Sequence, residues 1–301
     1  MNQNTIIWFR RDLRLYDNAA LFHALKDSNQ VFPVFIFDIQ ILSKLKNKKD
    51  RRIEFILQSL AEIKKTLNEN GSDLIIEIGD PELLIPKLIK EYKCNSLYIN
   101  RDYEKYAQDR DRTISKILLN KKITTLTFKD QVLFESDEIL TQSNNPYTVF
   151  TPYKNNYLKI LNEQGIELYN CESHKDNFAK FTSKALPSLE ELGFEKTNLE
   201  DLDLPTGTSG GEKLLEKFYK NIKSYTTNRN FPSIRGVSYL SVHNRFGTLS
   251  IRHLAKLAIE ADNDGALTWL SELIWRDFYF QIIANFPQVS EKKHSRVSSK
   301  I

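Results

Sequence analysis

Five short, almost uninterrupted runs of apolar residues in the first 130 positions constrain the fold most strongly. Strands that are apolar on both faces are typical of a parallel sheet covered by helices on both sides. Apolar residues between the runs recur every three or four positions, as in amphipathic helices, and Asp80 and Pro81 mark the start of one of them. The sequence therefore predicts an α/β domain with a doubly wound parallel sheet. The expected strands cover residues 6–9, 31–37, 74–78, 96–99 and 124–128.

The loop after the first expected strand is rich in charge. Residues 10–18, RRDLRLYDN, hold three arginines and two aspartates. Ligands of an open parallel sheet bind beyond the carboxyl ends of its strands, so this segment is a candidate ligand loop, with a solvated turn as the alternative. No GxGxxG follows the strand, so the usual dinucleotide-binding fingerprint is absent.

The chain changes character twice after the expected sheet. Periodicity weakens over residues 131–206, which predicts a long connector with one short helix near residues 155–164. Helical patterns resume after Gly207, and the stretch from residue 288 to 301 has almost no apolar content. We therefore expect an α/β domain over 1–130, a connector over 131–206 and a partial all-helical domain over 207–301. With too few partners to close a core, that helical part should expose apolar surface.

Composition excludes several classes of function. A formal charge of +4 tolerates a polyanionic partner but does not require one. The only two cysteines, Cys94 and Cys171, are far apart, and the histidines lack metal-ligand spacing. A reducing cytoplasm is therefore expected, without a disulfide framework or a metal site. No apolar stretch reaches the length of a membrane span, so we expect no membrane partner.

One helical stretch, residues 266–286, combines apolar and charged residues in an informative way. At 100° per residue, five of its side chains fall within a sector of about 120°. Charged groups on a largely buried helix need a partner or a ligand, so Glu272 and Arg276 form either an i,i+4 ion pair or part of a site. The tryptophans on the same face favour a site for a planar heterocycle. The five residues are Trp269, Glu272, Trp275, Arg276 and Tyr279.

Two upstream segments supply groups that suit phosphate. YTTNR at residues 225–229 and GVSYLS at residues 236–241 offer hydroxyls and backbone amides before a helix. The segment TGTSGGEK at residues 206–213 superficially resembles a phosphate-binding loop. It lacks the terminal Gly-Lys-Ser/Thr of that motif and does not follow a strand. Capping of a helix by Ser209 or Gly210 is the better interpretation.

Six segments taken together resemble the DNA photolyase/cryptochrome family, and particularly its deoxyribodipyrimidine photolyases. They are IIWFRRDLRLYDNAAL, PVFIFD, YTVFTPYKNNYLK, FPSIRGVSYLS, HNRFGTLSIR and WLSELIWRDFY, in family order. The resemblance implies an antenna-type α/β domain, a helical FAD-binding domain, and DNA containing pyrimidine dimers as the partner. The implied reaction repairs cyclobutane pyrimidine dimers by electron transfer from light-excited reduced FAD.

The resemblance also implies a role for each matching residue. Glu272 and Trp275 match the pair that meets the flipped dimer, where the carboxyl hydrogen-bonds a base and the indole stacks on it. Arg229 matches a DNA-backbone contact. The positions that match FAD contacts are Tyr225, Val237, Ser238, Tyr239, Leu240, Ser241, Trp269 and Arg276.

Departures from the family pattern shape the remaining expectations. Tyr106 and Ala107 stand where folate-using members carry an amide and a carboxylate, so a second antenna chromophore other than folate is expected, or none. The family's flavin domain continues further, so we expect a C-terminally truncated chain with impaired repair, monomeric when complete and prone to aggregate when shortened. The alternatives are a cryptochrome-like blue-light photoreceptor and a non-catalytic remnant that binds a nucleotide-like chromophore.

Overall fold

A five-stranded parallel sheet organises the first part of the chain, whose computed structural model describes residues 3–291. The strand order is β3-β2-β1-β4-β5, so the chain winds outward from β1 in both directions. Every expected strand is present within two residues of its expected bounds, and the predicted doubly wound α/β fold is confirmed. The strands are β1 (Asn4–Phe9), β2 (Gln30–Asp38), β3 (Ile75–Gly79), β4 (Ser96–Asn100) and β5 (Thr124–Phe128).

Helices cover both faces of the sheet because its strands are apolar on both faces. In β1, Ile7 and Phe9 pack with α1 and α3, while Ile6 and Trp8 point the other way and pack with α4 and α5. The Asp80 side chain accepts a hydrogen bond from Glu82 N and caps α4, as expected. These helices are α1 (Ala19–Asp27), α2 (Ile39–Leu42), α3 (Arg51–Glu69), α4 (Pro81–Glu91) and α5 (Lys105–Leu119).

Helices make up most of the rest of the chain. The helix expected near residues 155–164 begins earlier, at Phe150, because Pro152 is tolerated within the first turn. Thr206, not Ser209 or Gly210, is the N-cap of the next helix, and the Ser209 hydroxyl donates to Glu62 instead. The helices are α6 (Phe150–Gln164), α7 (Gly207–Tyr219), α8 (Tyr225–Asn228), α9 (Ser241–Phe246), α10 (Ile251–Ala261), α11 (Asp264–Asn285) and α12 (Gln288–Glu291). Residues 292–301, the end of the expected patternless tail, lie outside the described residues.

The two halves of the connector pack against different cores. Phe134, Tyr153 and Tyr157 join the apolar core formed by α7, α10 and α11. Cys171 and Phe178 pack on the sheet with α1 and α3. The expected shortage of partners is therefore wrong, because α6 supplies them and a core forms. The expected exposed apolar surface is present, since Phe231, Leu267 and Tyr279 are each at least half exposed.

A buried ionic network joins the α/β part to the helical part. Asp130, which follows β5, accepts two 2.8 Å hydrogen bonds from Arg14 and one of 2.7 Å from Arg252 on α10. Arg252 also donates to Asp17 at 3.0 Å. Arg14 and Asp17 come from the charged loop after β1, so these two residues belong neither to a solvated turn nor to a ligand loop. They hold the two parts of the chain together.

Candidate functional site

Helix α11 forms the framework of the candidate site. Its first turn is capped by Asn263, whose side chain accepts a hydrogen bond from Ala266 N. One face is buried, while Glu272 and Trp275 are partly exposed and Tyr279 is exposed. Trp269 does not lie on the exposed face with them, because its indole is buried against Phe218. The wheel predicted from 100° steps therefore groups Trp269 with the wrong neighbours.

Glu272 forms its ion pair with a residue from another helix. The distance between its carboxylate Oε1 and Arg229 Nη1 is 2.6 Å, and both side chains are partly exposed. This hydrogen bond raises the pKa of Arg229, and the guanidinium also lies 5.2 Å from the ring centroid of Tyr225. The structure thus places two predicted DNA-contacting residues, Glu272 and Arg229, in direct contact. The alternative of an i,i+4 pair between Glu272 and Arg276 is wrong.

Trp275 lies one turn after Glu272 and is surrounded by aromatic rings. Phe150 stacks on its indole with a centroid separation of 3.5 Å and an interplanar angle of 10°. Tyr279 packs against the same indole at 5.6 Å, and Phe278 meets it edge-on at 5.7 Å. An acid, a guanidinium and a partly exposed indole therefore share one surface.

A cavity of about 490 Å³ lies beside this surface, between α7, α8 and the segment 234–239. Of the predicted FAD contacts, Val237, Ser238 and Tyr239 line it. Tyr239 has a φ of 56°, which turns the backbone sharply before α9. The rest of the lining mixes apolar side chains with basic and amide groups that can donate to an anion. These groups belong to Lys217, Asn221, Asn228 and Arg235.

The other predicted FAD contacts lie around this cavity or apart from it. Tyr225 and Leu240 are buried, and Ser241 begins α9 and is exposed. Trp269 touches Phe218, which lines the cavity. Their assignment as FAD contacts stays a prediction.

Arg276 faces the junction with the α/β part. It donates to the backbone oxygens of Gln131 and Asn244, and burial lowers its pKa. It does not line the cavity beside α8, so its assignment as an FAD contact also stays a prediction. The neighbouring carboxylate, Asp277, is fully buried and accepts hydrogen bonds from Leu133 N at 2.8 Å and Tyr157 OH at 2.9 Å.

A second cleft opens at the carboxyl ends of β1, β2 and β4, where the strand order reverses. The guanidinium carbons of Arg10 and Arg110 lie 4.9 and 4.7 Å from the Trp8 ring centroid. Trp8 Nε1 is buried and has no hydrogen-bond partner among the described residues. Asp38 accepts from Tyr106 OH at 2.8 Å and from Arg110 at 3.3 Å.

Sequence reasoning placed Arg10 in a candidate ligand loop, and Arg10 and Arg11 do line this cleft. It missed Trp8, Arg110 and Asp38 as members of the same cleft. Trp8 lies within a predicted strand. Arg110 lies in a charged segment that is typical of a surface helix with salt bridges. The available signal was positional: Arg10 and Asp38 each stand where a predicted parallel strand ends, and such ends meet at one edge of the sheet.

The described residues contain no cluster of acidic, histidine and cysteine side chains that could hold a metal ion. Across the same part of the chain, no helix combines the length and apolar character needed to cross a membrane.

Comparison with known proteins identifies the family. The DNA photolyase family model matches residues 5–172. The deoxyribodipyrimidine photo-lyase of Synechococcus sp. is 31% identical over 300 residues, which cover 95% of this chain and 61% of that protein. A class III photolyase from Agrobacterium tumefaciens has a similar structure, with a TM-score of 0.83 and 25% identity over 97% of this chain and 61% of its own.

An archaeal photolyase from Sulfolobus tokodaii, solved with two FAD molecules, matches with a TM-score of 0.72 and 25% identity over 95% of this chain and 61% of its own. The chain thus spans about 61% of the length of these photolyases. The family match alone extends over more than half of the present sequence. The chain belongs to the DNA photolyase family.

Proposed function

We propose that this chain is the α/β part and the first flavin-site part of an enzyme that repairs cyclobutane pyrimidine dimers in DNA with light. The observation that carries the proposal is the shared exposed surface of Glu272, Arg229 and Trp275. This surface offers three groups that can bind a flipped lesion. Glu272 is a hydrogen-bond acceptor, Arg229 is a cation for phosphate, and Trp275 is a stacking ring. In this proposal residues 1–130 form the antenna-type domain, 131–206 the connector and 207–301 the start of the FAD-binding domain.

The cavity beside α8 fits part of FAD. Lys217 and Asn228 line it, as do Arg235 and Ser238 of the segment 234–239. Arg235 also forms an ion pair with Asp203. Such a donor set suits a diphosphate better than an uncharged ligand. When bound, reduced FAD supplies the electron that opens the dimer. Within this chain, the residues of the cavity bind and orient the phosphates.

The ion pair between Glu272 and Arg229 gives DNA binding a defined order of events. A DNA phosphate competes with the Glu272 carboxylate for the Arg229 guanidinium, since both are oxygen anions. Once Arg229 contacts phosphate, Glu272 is free to accept a hydrogen bond from a base. The base then stacks on the Trp275 indole and is held within reach of the flavin.

Substitution of Glu272 by glutamine tests this proposal. Losing a charge-assisted hydrogen bond should weaken binding to ultraviolet-irradiated oligothymidylate by about tenfold. Binding to the unirradiated strand should not weaken and should tighten slightly, because Arg229 is released from a carboxylate that competes with phosphate. Fluorescence anisotropy with both strands measures the two affinities, and Glu260→Gln, an exposed acid on α10, is the matched control. Equal affinity of the original chain for both strands would refute the proposed function.

We also propose that the cleft at the carboxyl edge of the sheet holds a planar, anionic antenna chromophore. Trp8 Nε1 offers a buried donor without a partner, and Phe35 and Phe37 supply apolar walls. Five arginines and three carboxylates line the cleft. Burial together with Arg11 lowers the pKa of Arg245, which also pairs with Glu104 at 3.5 Å. An anion would relieve the repulsion between Arg11 and Arg245. The related structure solved with two FAD molecules agrees with a flavin-type occupant.

Titration with 8-hydroxyflavin, FMN and folate checks the cleft. We expect a flavin to bind with micromolar affinity, and Arg245→Gln to weaken it about fivefold, as for one exposed charge pair. The equivalent change at Arg112, which is exposed on α5, should leave the affinity unaltered. Preferential binding of folate, or no flavin binding, would contradict the proposal.

A further inference from the structure

The indole of Trp275 is already covered by a ring of the same chain. The 3.5 Å centroid separation from Phe150 is the shortest among the aromatic pairs of the described residues. Rings with a 10° interplanar angle at this separation form a face-to-face sandwich. Aromatic pairs prefer offset or edge-on arrangements to this one, so the contact is easily exchanged for a better one. One face of the Trp275 indole is therefore occupied by Phe150.

Phe150 lies at the margin of the helical core, where it is partly buried and also contacts Phe278. It is the first residue of α6, and no side chain caps this end of the helix. No acidic residue stands in the first turn, and the neighbouring Val149 is exposed. Tyr153 and Tyr157, one and two turns later, are almost fully buried and hold the rest of α6 in place. Uncapped first turns fray, so the Phe150 ring can leave while α6 stays docked.

We propose that Phe150 covers the stacking face of Trp275 and competes with the planar ligand of that site, and that the ligand enters by displacing it. The proposal rests on the proposed function, because it takes the Trp275 indole as a base-stacking surface. Entry of a base replaces the stacking of Phe150 on Trp275 by the stacking of the base on Trp275. A base that stacks weakly therefore gains no binding free energy from this exchange. A ligand that also reaches Glu272 gains a hydrogen bond that Phe150 cannot offer.

Tryptophan fluorescence tests the cover without DNA. Trp8 and Trp269 are 1% and 2% exposed, whereas Trp275 is partly exposed, so acrylamide quenching of the whole chain reports chiefly on Trp275. Phe150→Ala should increase the quenching constant about twofold, because one face of the indole becomes accessible. Phe150→Tyr, which keeps a flat ring, should restore the original constant. In a Trp275→Phe background, Phe150→Ala should have no effect.

Binding of irradiated oligothymidylate to the same chains tests the competition. Phe150→Ala should tighten it by between about twofold and tenfold, the value of one aromatic pair. Weaker or unchanged binding with an intact far-ultraviolet circular dichroism spectrum would overturn the proposal, as would unchanged quenching. Trp275→Ala distinguishes failure of the proposed function from failure of the Phe150 cover. If it leaves binding unaltered, the proposed function fails, whereas if it weakens binding and Phe150→Ala does not strengthen it, only the cover fails.

Discussion

Replacing Asp130 by alanine is expected to lower the free energy of unfolding by roughly 3–5 kcal/mol. The Asp130 carboxylate is almost completely buried and is shared by Arg14 and Arg252, which come from the two parts of the chain. Removing it leaves two buried guanidinium groups with one fewer anion between them. The loss of a partner from a buried ion pair is costly because the remaining charge cannot be solvated.

Urea unfolding followed by circular dichroism measures this effect. The control is Arg112→Ala, at an exposed position on α5, which should change the unfolding free energy by less than about 0.5 kcal/mol. A loss below about 1 kcal/mol for Asp130→Ala would show that water reaches the network and screens it. In that case apolar packing and the other polar contacts, such as that between Arg252 and Asp17, would hold the two parts of the chain together.

The pH dependence of this network follows from the pKa of Asp130. Burial by itself would raise that pKa, but Arg14 and Arg252 outweigh burial and hold it below its ordinary value. Asp130 therefore contributes stability above the pKa of the unfolded chain, near 3.8, and the contribution is lost as the pH falls through the lower, folded-state pKa. The stability difference between the original chain and Asp130→Asn should accordingly shrink in acid.

The sheet was predictable because its signal is local. Strands buried on both faces need apolar side chains at consecutive positions, and only a few residues are needed to see this. The ionic network was not predictable in the same way. Arg14 and Asp130 are 116 positions apart, and Arg252 lies a further 122 beyond Asp130. Nothing in the local pattern of a charged loop indicates whether its partners arrive from another part of the fold.

The candidate site was predicted more completely in its residues than in its contacts. The pattern on α11 and the resemblance together identified Glu272 and Trp275, since both lie on one helix. Helical periodicity gives the angle of a side chain but not the element it meets. The pairing of Glu272 with Arg229 and the stacking of Phe150 on Trp275 both cross between helices, and they became visible only in three dimensions.

The connector shows the same limit. Its periodicity is weak because its first half follows the helical core and its second half follows the sheet. A segment that changes neighbours every few residues has no single repeat to detect.

The stability of the chain should fall as the pH rises from about 4 to about 6, and Asp277 should be the cause of a large part of this fall. Burial raises the pKa of Asp277 to about 6, against the opposing influence of Arg276. The folded chain then holds a proton that the unfolded chain releases near pH 3.8. Stability from this group is complete below pH 3.8 and is lost as the pH passes through 6. Two pKa units correspond to roughly 3 kcal/mol.

Asp277→Asn isolates this contribution. The amide oxygen can still accept from Leu133 N and Tyr157 OH, so the variant retains these two hydrogen bonds but cannot ionise. It loses the longer contact from Arg276 to the second carboxylate oxygen. Relative to the original chain, the variant should gain roughly 3 kcal/mol between pH 4 and pH 7, as measured by urea unfolding at each pH. Parallel pH profiles of the two chains would refute the assignment.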